Sequence, residues 1–114
     1  MKRFHPLNIH PESVPPEQVR FLSLHTEPWE DRQRIRVHAR LTPFQKPPNL
    51  EFEIRDLEER VIASAYIVEN IEFDLVITMH LQRLPPQTQQ LTLKAAILYE
   101  ELGVVSKEKT GFTI

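Results

Sequence analysis

Residues 71–81 read Ile-Glu-Phe-Asp-Leu-Val-Ile-Thr-Met-His-Leu, and their alternation decides the fold class. Ile71, Phe73, Leu75, Ile77, Met79 and Leu81 share one parity, against Glu72, Asp74, Val76, Thr78 and His80 on the other. A period of two sends successive side chains to opposite faces of a β-strand, whereas a helix scatters the same apolar residues around its circumference. No helix-capping pattern accompanies the run. It is expected to be the central strand of an antiparallel sandwich, with one face in the core and the other mostly wet.

The flanking segments repeat the pattern. Ile35, Val37, Ala39 and Leu41 alternate with Arg34, Arg36, His38 and Arg40, and Leu50, Phe52 and Ile54 alternate with Glu51, Glu53 and Arg55. Leu91, Leu93, Ala95, Ile97 and Tyr99 make another inward face, with Thr92, Lys94, Ala96 and Leu98 between them. Residues 104–114 form a last strand whose surest core residues are Phe112 and Ile114. Residues 19–25 suit a first strand at a sheet edge. Residues 61–68 are apolar on both parities, so they either cross between sheets or pair at an edge. The centre of the core is expected at Phe73, Ile77, Val37, Phe52 and Leu93.

Turn chemistry separates these runs. None of the ten prolines falls inside one, because proline cannot donate to a sheet ladder. Asp56-Leu57-Glu58-Glu59 reads as a hairpin turn in which Asp bonds nearby backbone, and Asn70 is suited to a left-handed residue before the strand that follows it. Trp29, the only tryptophan, sits at a corner after Pro28 and is expected to plug one end of the core. Seven strands at roughly ten-residue spacing, without a helical period, predict an all-β, immunoglobulin-like, antiparallel Greek-key sandwich. Residues 1–18 are an extended, proline-rich lead-in, and residues 19–114 are the domain.

Residues 50–64, LEFEIRDLEERVIAS, are similar to the strand, acidic turn and strand of bacterial immunoglobulin-like, fibronectin type III-like and macroglobulin-type domains. In those families the turn has the form Asp-x-x-Gly-x, and Glu59 stands where the glycine usually does. There is no cysteine pair, and Leu91 sits about where a tyrosine-corner residue precedes its strand. The resemblance implies a sandwich fold and a tendency to mediate contacts. It carries over no catalytic residue and no cofactor.

A chain of 114 residues has the length of one domain and buries roughly two-thirds of its extended-chain surface on folding. Zero cysteines exclude disulfides, thiolate nucleophiles and cysteine-ligated zinc, and fit a reducing, cytoplasmic setting. The N-terminus, Met-Lys-Arg-Phe-His-Pro, has no apolar run behind its basic residues, so neither a signal peptide nor a membrane span is expected. A net charge of -2 lacks the basic footprint that binds phosphate backbones, which argues against nucleic acid.

Arg36, His38 and Arg40 are placed on the same outer face as Glu72 and Asp74, where opposite charges neutralise each other. The five histidines fall into no metal-binding spacing, and His38 and His80 share a site only in a favourable register. Ser13, Ser23, Ser64 and Ser106 lie in no nucleophile-elbow context. Glu58-Glu59 and Glu100-Glu101 lie in turns, where solvent keeps both carboxylates ionised.

Ala96 and Leu98 occupy the outer parity of their strand and form an apolar strip if left bare, inviting another sheet. Phe4, Leu7 and Ile9 of the lead-in offer an alternative cover. The expected role is therefore a non-enzymatic module that contacts a protein partner, or a second copy of itself, through a sheet face or edge. Ala96, Leu98, Val76, Tyr66 and Trp29 are the candidate contact residues. The alternative is a small-ligand or carbohydrate-binding sandwich using Trp29, Phe44 and Tyr66 at its loop ends.

Overall fold

The computed structural model describes residues 11–82 and 84–114. Seven strands follow one another: β1 (Phe21–Pro28), β2 (Arg34–Leu41), β3 (Asn49–Arg55), β4 (Val61–Ile67), β5 (Asp74–His80), β6 (Gln90–Tyr99) and β7 (Gly103–Thr113). They form two antiparallel sheets, one of three strands in the order β1-β2-β5 and one of four in the order β4-β3-β6-β7. The chain is thus an all-β sandwich of two antiparallel sheets, with non-consecutive strands adjacent in each.

The core sits between the inward parities of β2, β3 and β6. Ile35, Val37, Leu50, Phe52, Ile54, Leu93 and Ile97 are each fully buried. Removing such side chains from water stabilises by roughly 1.5–3 kcal/mol apiece, which is why the alternating runs collapse onto one another. In β1 a register shift between Phe21 and Ser23 changes the parity, so Phe21 and Leu24 both face the core while Leu22 is exposed.

Residues 71–81 are not central. β5 pairs with β2 alone and closes one edge of the three-stranded sheet. Its parity is as expected, with Leu75 and Met79 buried, but Ile77 and Phe73 are only partly covered. Phe73 precedes the strand, its carbonyl accepting the Leu41 amide at 2.8 Å and its ring meeting Phe44 edge-on at 4.8 Å. Ile71 lies further out and is 72% exposed. An edge strand lacks a neighbour on one side, so its inward side chains keep partial contact with water.

The turns follow their side chains. Asp56 Oδ1 accepts the Glu58 and Arg60 amides, both at 2.9 Å, and Oδ2 accepts Arg60 Nε at 2.9 Å. This pins the β3–β4 hairpin and places Glu59 at φ +67, the conformation for which related turns use glycine. Before β5 the left-handed residue is Glu69, at φ +51, rather than Asn70. Asn70 is instead buried, its amide donating to the Pro48 carbonyl at 2.8 Å and its Nδ2 to the Glu72 carbonyl at 2.7 Å. Gly103, at φ +75, completes the β6–β7 turn, in which the Leu102 amide donates to the Tyr99 carbonyl at 3.1 Å.

Part of the lead-in is tied down. Val14 bridges to Phe44, its amide donating to Pro43 O and its carbonyl accepting Gln45 N, both at 3.0 Å. A single 3-10 turn over Pro16–Gln18 then delivers the fully buried Val19 into the core. Phe4, Leu7 and Ile9 lie outside the described residues.

Candidate interaction surface

The outer face of the three-stranded sheet is built by the register of β1, β2 and β5, which aligns Glu27 with Arg36 and Thr78, and His25 with His38 and Val76. Arg40 Nε bonds Asp74 Oδ1 at 3.0 Å, so the expected charge neutralisation exists there. Glu72 does not join it, because it precedes β5 and falls outside the paired register. His38 does not approach His80, which lies opposite Arg34; it stacks on His25 with ring centroids 4.5 Å apart and bonds Glu27 Oε1 at 3.1 Å.

Trp29 is not a plug over the core. It is half-buried at the corner after β1, with the Arg34 guanidinium 3.9 Å and the Arg36 guanidinium 5.2 Å from its ring centroid. Stacked guanidinium is weakly hydrated and matches the negative face of indole, so the two arginines, rather than the core, take up the ring. Asp31 anchors Arg34 at 2.8 Å. The Gln33 amide and the Arg34 side chain hold the Asp31 carboxyl below its ordinary range.

On the opposite sheet the outer face reads across four strands as Ser64, Glu53, Lys94 and Lys109 in one row and Tyr66, Glu51, Ala96 and Lys107 in the next. Together Glu51, Glu53, Lys94, Ala96, Lys107 and Lys109 line a shallow trough. Arg55 binds Glu53 at 2.8 Å and Lys94 binds Glu59 at 3.0 Å. The Lys94 ammonium depresses the Glu59 carboxyl. Such exposed pairs add little stability but make the face nearly neutral.

The expected bare strip is narrower than its parity implies. Ala96 is only 8% exposed, because its short side chain sits between the longer Glu51 and Lys107 on the adjoining strands, and Leu98 is half-buried. Tyr66 and Val76 are both exposed, but on opposite faces of the sandwich: Tyr66 shares a face with Ala96 and Leu98, while Val76 and Trp29 belong to the other. The five candidate residues therefore do not converge on one patch. The loop-end ligand set fails for the same reason, and Phe44 is buried in the core against Phe73.

What alternation did not reveal is the apolar surface around the β4–β5 connection. Tyr66, Val68 and Ile71 are each more than half exposed there. The signal was present in residues 61–68, apolar on both parities, since a strand buried on one side alone has no need of a second apolar face. Tyr99 is buried, as its alternation predicts, and also secures this half of the molecule, its hydroxyl donating to the Lys46 carbonyl at 2.7 Å. Burial pushes its pKa far up. Among the described residues no cluster of three or more His, Asp, Glu or Cys is placed to hold a metal ion, and no helix is long and apolar enough to cross a membrane.

No protein-family model and no curated protein matches this sequence. Solved structures do match its fold. A glycosyl hydrolase family 2 member from Bacteroides cellulosilyticus aligns with TM-score 0.59 and 15% identity, over 84% of this chain and 15% of its own. The Bifidobacterium dentium beta-glucuronidase aligns with TM-score 0.56 and 15% identity, over 84% and 18%. The Ruminococcus gnavus b-glucuronidase gives TM-score 0.51 and 13% identity, over 85% and 16%. This chain thus spans less than a fifth of each of those proteins, and the likeness is one of β-sandwich fold.

Proposed function

We infer that this chain is a non-catalytic β-sandwich module, of the immunoglobulin-like or fibronectin type III-like kind, whose role is to contact another protein. The observation that carries this reading is the exposed apolar side chains of Tyr66, near the end of β4, and of Val68 and Ile71 in the β4–β5 connection. Surface of this kind is characteristic of contact sites. The matched segments of the large glycosyl hydrolases are of single-domain length, which also supports a modular role. Both outer faces are close to charge-neutral, so the partner is a protein rather than nucleic acid or membrane, and the absence of cysteine suits a cytoplasmic setting.

A photo-crosslinking residue placed at Val68 in cells is expected to capture a protein, whereas the same residue at Leu57, no less exposed at the far hairpin, is not. Equal labelling from the two positions, or none from either, overturns the reading. So does hydrolysis of aryl glycosides, or calorimetric binding of a uronic acid, by the purified chain.

A further inference from the structure

The register of β1 against β2 sets His25 directly opposite His38 on the outer face of the three-stranded sheet. Directly opposed side chains are the nearest neighbours that an antiparallel pair provides. The two rings lie within 4° of parallel, their centroids 4.5 Å apart. His25 is exposed and His38 half-buried. Two imidazoles are thereby held side by side at the edge of the sheet, by residues distant in sequence.

Glu27 sets the tautomer of His38, its Oε1 lying 3.1 Å from Nε2. An ionised carboxylate only accepts, so Nε2 carries the proton and the lone pair of the neutral ring is left on Nδ1. A carboxylate that holds one ring nitrogen while the other stays available is the arrangement found behind metal-bound histidines, where it fixes the ring and raises the basicity of the ligating nitrogen. Among the described residues no hydrogen bond occupies either nitrogen of His25. The flanking cations are engaged elsewhere: Arg40 Nε bonds Asp74 Oδ1 at 3.0 Å, and the Arg36 guanidinium lies 5.2 Å from the Trp29 ring centroid. Val76, opposite His38 on β5, brings no charge.

We propose that His25 and His38 form a two-imidazole chelate for a divalent copper or zinc ion, with Glu27 as the positioning residue of His38. Imidazole suits these ions, whereas Mg2+ and Ca2+ take oxygen ligands. Each ring leaves the stack by turning about its Cβ–Cγ bond, a broad torsion, to aim one nitrogen at the ion. Two protein ligands leave the other positions to water, so the ion exchanges freely. Copper binds more tightly than zinc, as it does at most nitrogen sites. The chelate exists only while β1 and β2 are paired, so the ion staples the edge strand β1 to the sheet. This site lies on the sheet opposite the one that carries Tyr66, and it stands or falls apart from the contact reading.

The test is thermal melting and calorimetric titration of the purified, chelator-stripped chain with Cu2+, Zn2+ or Mg2+ alone. With Cu2+ about a hundredfold above its dissociation constant, the melting temperature is expected to rise by about 10 °C. Zn2+ at the same concentration is expected to raise it less, and Mg2+ not at all. His25→Gln and His38→Gln are each expected to abolish the rise while changing the metal-free melting temperature little. His80→Gln, at an exposed position on β5, is expected to keep it. Glu27→Gln is expected to weaken binding about tenfold without lowering the metal-free melting temperature. A rise that survives either His25→Gln or His38→Gln overturns the proposal, as does no rise with any ion or an equal rise with Mg2+. Calorimetric binding without a rise refutes it too, by assigning the ion to other histidines. A two-chain mass by light scattering in the presence of metal also refutes it, because the ion then lies between copies.

Discussion

Replacing Phe52 by Ala is expected to be among the most damaging single truncations in this sandwich. Its side chain is fully buried on β3, the strand flanked by both β4 and β6. Its cross-strand neighbours on the same face are Ala65 and Ala95, and the Phe21 ring meets it edge-on at 6.5 Å. Phe→Ala in a core costs about 3–5 kcal/mol, with the upper part of that range reached where the surroundings cannot collapse into the space. Two alanines have nothing to extend into it, so a loss of about 4 kcal/mol follows. Against the roughly 5–15 kcal/mol that holds a domain folded, this is a large fraction. In urea, with a slope of about 1–3 kcal/mol/M, the unfolding midpoint falls by about 1.3–4 M. Phe73→Ala is the internal comparison: its ring is only partly covered, and the loss is expected to be about half as large. Equal losses at the two positions, or a loss under about 2 kcal/mol at Phe52, refute the placement of the core.

Glu59 at φ +67 sets backbone strain against its bridge to Lys94, so Glu59→Gly is expected to raise the melting temperature in high salt, where the bridge is screened, and to change it less in low salt. Thermal melts at two ionic strengths check the sign. Asp31 and Asp56, ordinarily near 3.8, and Glu59 and Glu101, ordinarily near 4.5, are all held lower in the folded chain. The causes are the Gln33 amide for Asp31, the Arg60 amide for Asp56, Lys94 for Glu59 and Lys46 for Glu101. The unfolded chain therefore binds more protons near pH 4, so stability is fully present above about pH 5 and is lost as pH falls through the folded values. Urea midpoints from pH 7 to pH 3 are expected to show this fall, and Asp56→Asn to make it shallower. Tyr99→Phe strands the Lys46 carbonyl and is expected to cost about 1 kcal/mol by denaturant titration, with no change in secondary structure.

The sequence by itself determined where the strands lie to within a few residues and which parity of β2, β3, β5 and β6 is dry; it did not determine the parity of β1 or β4, and Phe112 and Ile114, expected in the core, are only partly buried. Val37, Phe52 and Leu93 are fully buried where alternation put them, and the Asp56 turn holds its own backbone as its side chain requires. These features are legible because a period of two and a short acidic side chain act over a few neighbouring residues. Only the tertiary structure decided which strand has a neighbour on both sides. Residues 71–81 alternate over eleven positions, yet β5 is an edge, since alternation records the face a side chain takes and not the strands that lie beside it. The same holds for the candidate surface. Ala96 is hidden by Glu51 and Lys107, Trp29 is half-covered by Arg34 and Arg36, and the uncharged β4 is an edge of its sheet because it pairs with β3 alone among the described strands. Each of these depends on register between segments distant in the chain, which hydrogen bonding across the assembled sheets sets and local sequence does not encode.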